Sequence, residues 1–353
     1  MPSDQGIDAI LERSEKVLQG FKLPARLRRF RCYAISNFRG GIGKSTLSFN
    51  LAYELGKEYP SLLVDTCSQR NFSQNIFGDD LYDFPKTLYD ALITELTGGQ
   101  ATDSSEIAIP VKQSCPAFRF LKPQIWMIPG SSQLFLFPSL LYSQLAQYAQ
   151  LGPQYQAEAS ARTLGSIKRI IDRVAKYTKA EKILIDTSPF FGGATHLSWV
   201  AAEALIIPVR VDQHSIEALR LTLDMLDNKN LDFHKFNAQA GLQHQPKVHC
   251  IVMTHCGWNR QKKNTPDSST LYFVQKALEI ASDYSHLFSE DEVHNCFYLL
   301  DDFHSSGRIS GKQRIPLSRL ESGRKYIVDG QRLEVNPSVD RYKSEVQNLT
   351  ASL

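Results

Sequence analysis

The sequence predicts a doubly wound α/β fold, in which a mostly parallel sheet carries helices on both faces, and three observations predict it. Short, near-continuous apolar runs alternate with helical stretches through the 353 residues, as strands do when both their faces are covered. Two of these runs, 61–65 and 182–186, end in a carboxylate, Asp65 and Asp186. Between the first run and the helix after it lies Phe38-Arg39-Gly40-Gly41-Ile42-Gly43-Lys44-Ser45-Thr46, a glycine-rich turn that ends in a lysine and two hydroxyls.

In chain order, residues 1–30 come first. Ile7, Ile10, Leu11, Val17, Leu18 and Phe21 fall on one helical face, and Pro24 ends the pattern. Between Gln19 and Arg31 stand Lys22, Arg26, Arg28, Arg29 and Arg31 with no acid among them. This segment reads either as a helix docked by its apolar face with a solvated basic tail, or as an arm that binds a partner or nucleic acid. Residues 31–353 then read as one domain. Its first strand covers 32–36, and Leu47, Leu51, Ala52 and Leu55 give the following helix a face toward the sheet. Further strands are expected at 61–65, 125–130, 182–186, 204–209 and 248–253. Helices are expected at 87–96, 159–177, 215–226 and 269–281.

The strand, loop and helix arrive in the order that a phosphate-binding loop requires, which makes the fold a P-loop NTPase. Gly40, Gly41 and Gly43 lack a Cβ, so the backbone can curl with its N–H groups turned inward, and the next helix offers its positive end to the same anion. Lys44 reaches the terminal phosphates, and the Ser45 hydroxyl belongs on Mg²⁺. Ligands of parallel α/β sheets gather at the carboxyl ends of strands, which brings Asp65 close to the phosphates. Asp186, at the end of the second acidic strand, holds Mg²⁺ through water.

Composition excludes little. A hydrophobic content of 42% supports a large core, and a net charge of +3 is close to neutral at this size. Six scattered cysteines, Cys32, Cys67, Cys115, Cys250, Cys256 and Cys296, read as thiols of a reducing compartment rather than a disulfide framework. His249-Cys250 and His255-Cys256 bracket an apolar run, and a strand rising about 3.3 Å per residue would hold the pairs roughly 20 Å apart, too far to share a zinc ion. The polar start of the chain and the lack of an apolar stretch of membrane length predict a cytoplasmic protein.

Four motifs in order carry a family resemblance: residues 39–46, Leu62-Leu63-Val64-Asp65-Thr66-Cys67-Ser68-Gln69-Arg70-Asn71, Ile183-Leu184-Ile185-Asp186-Thr187-Ser188-Pro189, and 202–209. They resemble the deviant phosphate loop, the two acidic motifs and the following strand of the ParA/MinD family of partition and positioning ATPases. Weaker similarity runs to the end of the sequence, where Ile315-Pro316 begins a stretch like the family's last strand and 337–349 is like its closing helix.

The resemblance implies ATP and Mg²⁺ as ligands, and a homodimer that sandwiches two nucleotides face to face. Gly40, Gly41, Ile42, Gly43, Lys44, Ser45 and Thr46 form the nucleotide cradle, with Pro316 passing close to the adenine. Ser45, Asp65 and Asp186 surround the metal. Phe190-Phe191-Gly192-Gly193 forms a mobile loop that senses the γ-phosphate, or a plain flexible turn.

Two residues depart from the family pattern. Arg39 stands where a lysine crosses to the other subunit's nucleotide, and it is expected to do so as a planar, forked donor. Cys67 stands where an aspartate activates the attacking water, and a thiol with an ordinary pKa of about 8.5 beside phosphate is a poor base. Either Gln69 or another group positions the water, or turnover is very slow and the protein acts mainly as an ATP-dependent clamp. Slow hydrolysis is expected, and the alternative is a non-hydrolysing regulatory or scaffold subunit.

The partition-like branch of the family implies a ParB-like or cargo adaptor as partner, and a protein that is nucleoid-associated. Arg308, Lys312, Arg314, Arg319, Arg324 and Lys325 stand against the single acid Glu321 in their stretch, which reads as non-specific DNA binding of the partition type or as a solvated basic face. The terminal segment 339–353 lacks the bulky apolar cluster of a membrane-binding helix. An iron–sulfur electron carrier on this scaffold would need paired cysteines where only Cys115 stands, and a tyrosine kinase a terminal cluster where only Tyr326 and Tyr342 occur.

Overall fold

The apolar runs become strands because their side chains alternate between two buried faces. In the computed structural model, which describes residues 2–21, 30–82, 84–259 and 264–353, the central sheet is built from β1 (Cys32–Ile35), β2 (Ser61–Asp65), β3 (Ile109–Pro110), β4 (Ile125–Ile128), β5 (Lys182–Asp186), β6 (Ala204–Arg210), β7 (Lys247–Cys256) and β8 (Phe297–Asp301). The strand order is β3-β4-β2-β5-β1-β6-β7-β8. All neighbours are parallel except the short edge strand β3, which runs antiparallel to β4. Cys32 and Ala34 join one core layer and Tyr33 and Ile35 the other, and Leu62/Val64 and Leu63 divide in the same way. Helices on both faces follow from that division.

Register places the two acids side by side. Asp65 pairs with Asp186, which also lies opposite Ile35 at the end of β1. The carboxyl ends of β1, β2 and β5 therefore form one acidic floor beneath the glycine-rich loop.

The N-terminal helix Pro2–Leu18 docks on this body through Ile10 and Val17, both buried, and Arg13 donates to the backbone carbonyls of His294 and Phe297. Phe21 lies past the helix end and is 62% exposed, so it does not share the docking face. Of the basic run, Lys22, Arg26, Arg28 and Arg29 lie outside the described residues. The Arg31 N–H donates to Glu203 Oε2 at 2.6 Å.

The helix expected over 159–177 is two helices, Pro153–Leu164 and Ser166–Thr178. They meet at Gly165, where a Cβ would lie a tight 3.0 Å from the Ala161 carbonyl oxygen, so glycine eases the break there. No strand forms at Ile315-Pro316. The Leu317 N–H instead bonds Asn50 Oδ1 at 2.7 Å and a short 3-10 turn follows, while the last strand of the main sheet is the upstream β8. Strands β9 (Lys325–Val328) and β10 (Gln331–Glu334) form a separate hairpin closed by Asp329 and Gly330, both at positive φ, as Asp-Gly turns favour. The terminal helix Val339–Ala351 packs Val339, Tyr342, Val346 and Leu349 inward. His249 is a structural residue: its ring nitrogens meet Ser289 Oγ at 2.8 Å and the Ser352 carbonyl at 2.9 Å.

Candidate nucleotide site

The loop after β1 reverses direction through Gly41 (φ 72°) and Gly43 (φ 85°), conformations that side chains rarely adopt, and a Cβ at either would meet only open space. Gly43 caps the helix Lys44–Leu55, whose free N–H groups face the loop's concavity. Lys44 folds back over that loop. It is 8% exposed, and its Nζ donates to the carbonyls of Asn37 (3.2 Å) and Arg39 (2.6 Å). Burial holds its pKa below the usual lysine value, against the pull of Asp186 and Cys67.

Each acid on the floor has its own hydroxyl partners. Asp186 accepts from Ser45 Oγ at 2.8 Å and Ser48 Oγ at 2.7 Å. Asp65 accepts from the Ser73 N–H (2.8 Å) and Oγ (2.7 Å) and from the Cys67 N–H (3.0 Å). Burial raises both carboxyls above the ordinary range, and Asp186 raises Asp65 further. Two buried carboxylates with Lys44 as the nearby cation make an electrostatic deficit that a divalent ion would relieve. The donors are hard oxygens, and one hydroxyl plus one or two carboxylates beside phosphate is the set that suits Mg²⁺. Ser45, Asp186 and Asp65 therefore fit that ion.

Ser48, Ser73 and Gly130 were not legible as site residues. Ser48 lies one turn beyond Lys44 and reads as any helical serine. A Cβ at Gly130 would lie 2.9 Å from Asp65 Cγ, and the Gly130 N–H donates to Ser73 Oγ, so the loop after β4 closes over Asp65 only because residue 130 is glycine.

A cavity of about 840 Å³ opens above this floor. Gly40, Gly41, Gly43, Lys44, Ser45 and Thr46 line one side, and Cys67 and Gln69 line its rim. Burial pushes the Cys67 thiol up to about 11, with Asp65 and Asp186 adding to the effect. The opposite wall is the helix His304–Gln313 and its end, through Arg308, Lys312 and Arg314. A second cavity of about 200 Å³ adjoins it and shares Gly43, Thr46, His255, Gly307 and Arg308 with the first. Its walls include Ile42, Thr254 and Phe303. His255 (φ 58°) and His304 (φ 45°), which also line it, hold the left-handed conformation that gathers at functional sites.

Several expected residues lie elsewhere. Pro316 is buried and lines neither cavity. Arg39 turns away from the phosphate cavity, where its guanidinium pairs with Asp212 and donates to Ser215 Oγ at 2.7 Å. Arg319 lies over the Phe120 ring, Arg324 pairs with Glu321 at 3.7 Å, and Lys325 pairs with Glu334 at 3.2 Å. In the loop after Asp186, Thr187 and Pro189 line the cavity. Phe191 packs with Phe38, His196 and Trp199 at 6.0, 5.2 and 5.3 Å between ring centres. A Cβ on Gly193 would lie 2.9 Å from the Pro138 nitrogen.

Comparison with known proteins agrees with this geometry. A family model described as "AAA domain" matches residues 30–235. The chain is 25% identical over 227 residues to the chromosome partitioning protein ParA of Myxococcus xanthus, covering 61% of this chain and 68% of that one. It is 26% identical over 214 residues to the cell division protein PomZ of the same organism, covering 60% and 56%. The chain thus spans between a little over half and about two thirds of the length of these relatives. The solved structure of apo McdA from Cyanothece shares the fold, with a TM-score of 0.61 at 16% identity over 91% of this chain and 100% of that one.

Proposed function

Because the chain belongs to the AAA domain family, as a ParA/MinD-like P-loop ATPase, we propose that it is an ATP-switched partition or positioning protein. In this reading ATP and Mg²⁺ bind at the phosphate loop, two copies close face to face over two nucleotides, and slow hydrolysis lets them part. The observation that carries it is that Lys44 and Ser45 line the cavity, while Asp186, which accepts from Ser45 Oγ, and Asp65, its neighbour in register, lie buried behind them at the carboxyl ends of parallel strands.

The residues divide the work by chemistry. Lys44 exchanges two loop carbonyls for β- and γ-phosphate oxygens, while Gly40 to Thr46 present backbone N–H groups to the same phosphates. Ser45, Asp186 and Asp65 hold Mg²⁺, which when bound neutralises charge on the phosphates. Cys67 keeps its proton at neutral pH, since its thiol lies near 11, and cannot serve as a base. Gln69, on the same rim, orients the water instead, so turnover stays under about one per second.

Arg39 leaves Asp212 and Ser215 to reach the partner copy's nucleotide when the dimer closes. Phe191 meets the Phe38 ring edge to face at the start of the phosphate loop and transmits that closure. The base occupies the second cavity, between Thr254, His255 and Phe303, rather than the neighbourhood of Pro316. The cargo side is a ParB-like or other adaptor protein, with DNA held without sequence preference by the cations outside the cavity, Arg319, Arg324 and Lys325. Such a protein works in the cytoplasm, on or beside the nucleoid.

One feature favours a second reading, a non-hydrolysing ATP-binding regulatory or scaffold subunit: where the resemblance expects a water-activating aspartate the chain has Cys67, whose thiol burial pushes up to about 11. Turnover and oligomeric state measured with ATP, ADP and no nucleotide separate the two, for the natural protein and for Cys67→Asp. The first reading expects dimers with ATP alone, slow turnover, and faster turnover in Cys67→Asp. Equal turnover in both proteins would sink the role given to residue 67, and zero turnover with ATP-dependent dimers would support the scaffold.

A further inference from the structure

The helix His304–Gln313 brings an unexpected set of groups to the nucleotide cavity. Gly307 and Gly311, one turn apart, line it together with Arg308 and Lys312 beside them. The glycines leave space against the wall, and the two cations flank that space. Arg308 lines both cavities and so stands where the phosphate and base ends meet. Among the side chains that line the larger cavity, Lys44, Arg308, Lys312 and Arg314 stand against Asp79, with Asp186 and Asp65 buried behind Ser45, a local excess suited to a polyphosphate.

These cations differ in their present commitments. Lys44 is buried on loop carbonyls. Arg314 donates from Nη1 to the Ser114 carbonyl at 3.1 Å and packs against Gly78. Arg39, the cation expected to serve a nucleotide across a dimer, is held by Asp212. Arg308 and Lys312 have half-exposed side chains and share a counter-ion, Asp329 of the β9–β10 turn, at 4.0 and 3.3 Å. Exposed pairs of this kind contribute little, whereas a phosphate offers more charge and several acceptor oxygens to the same donors.

We propose that Arg308 and Lys312 are ligands of the bound nucleotide's phosphates in the same subunit, taken over from Asp329 when the nucleotide enters. This rests on the nucleotide reading of the cavity, and it moves both residues from the DNA face to the nucleotide. Asp329 then acts as an internal stand-in for phosphate, and the hairpin it belongs to is released when ATP binds.

The test is equilibrium binding of a fluorescent ATP analogue with Mg²⁺, and of the matching AMP analogue, to the natural protein and to Arg308→Gln/Lys312→Gln, Asp329→Asn and Lys44→Ala. Binding to a short random DNA duplex is measured in parallel. Each pair of charge-assisted bonds lost should weaken ATP by at least about tenfold, and the AMP analogue much less. Asp329→Asn, which keeps a residue tolerant of positive φ, should tighten ATP binding. Unchanged ATP affinity in the double variant, with DNA binding lost, would overturn the proposal and return both residues to DNA. If Lys44→Ala also bound ATP normally, the nucleotide reading itself would fail, so the two failures are distinguishable. Circular dichroism checks folding, and Asp329→Asn provides a readout of opposite sign that misfolding cannot mimic.

Discussion

Gly130 is the residue on which the acidic floor closes, although nothing in the motif around Asp65 points to it. Any side chain there meets Asp65 Cγ within 2.9 Å, so Gly130→Ala forces the loop or the carboxylate to move. It should destabilise the protein by about 1–3 kcal/mol, as overpacking does, and weaken Mg²⁺-dependent ATP binding, both measurable by denaturant unfolding and titration. His196 makes a second residue-scale prediction. It is fully buried, its Nε2 meets Asn237 Oδ1 at 3.2 Å, and burial pushes its pKa down to about 4. The unfolded chain binds that proton near pH 6.5 while the folded chain does not until about 4, so stability is lost as pH falls through this window. The full loss is roughly 3 kcal/mol below pH 4. Denaturant unfolding at pH 7 and 5 should show a smaller pH dependence for His196→Phe than for the natural protein, and equal dependence would contradict the assignment. Lys44 and Ser45 were legible because they close one strand-loop-helix unit, and Asp65 and Asp186 because each ends an apolar strand. Ser73, in the short helix Asn71–Phe77, and Gly130, in the loop after β4, were not, because no motif marks either as a neighbour of Asp65.

At the scale of elements, the ends of the two acidic strands were legible and helix breaks were not. Ser61–Asp65 and Lys182–Asp186 fall where apolar runs end in acids, but the periodicity over 159–177 continues through Gly165 and hides the bend there. The hairpin β9–β10 was masked by its charge: Lys325 and Arg332 make it read as a basic stretch, although Asp329-Gly330 is a hairpin turn in its own right. Glu95 shows how elements are pinned. Only slightly exposed, it accepts from Arg169 Nε at 3.0 Å and pairs with Arg173 at 2.6 Å, tying the helix Leu88–Thr97 to Ser166–Thr178. Glu95→Ala takes the shared carboxylate from two partly exposed guanidinium groups, so it should lower stability by about 1 kcal/mol, visible as a lowered Tm. An unchanged Tm would mean that apolar packing alone holds the two helices.

For the whole molecule, the two core layers lock the sheet while the site rests on loops at the carboxyl ends of its central strands, so ligand and fold are linked by mass action. Among the described residues, no helix is long and apolar enough to cross a membrane. A nucleotide that binds only the folded chain stabilises it by about 2.7 kcal/mol at a hundredfold excess over its Kd, which gives the central claim a direct measurement. Calorimetric titration of ATP with Mg²⁺ into the natural protein and into Lys44→Ala, both confirmed folded, should give one nucleotide per chain for the first and at least about tenfold weaker binding for the second. Equal binding by the two proteins, or none by the natural one, would contradict the assignment of this cavity to a nucleotide.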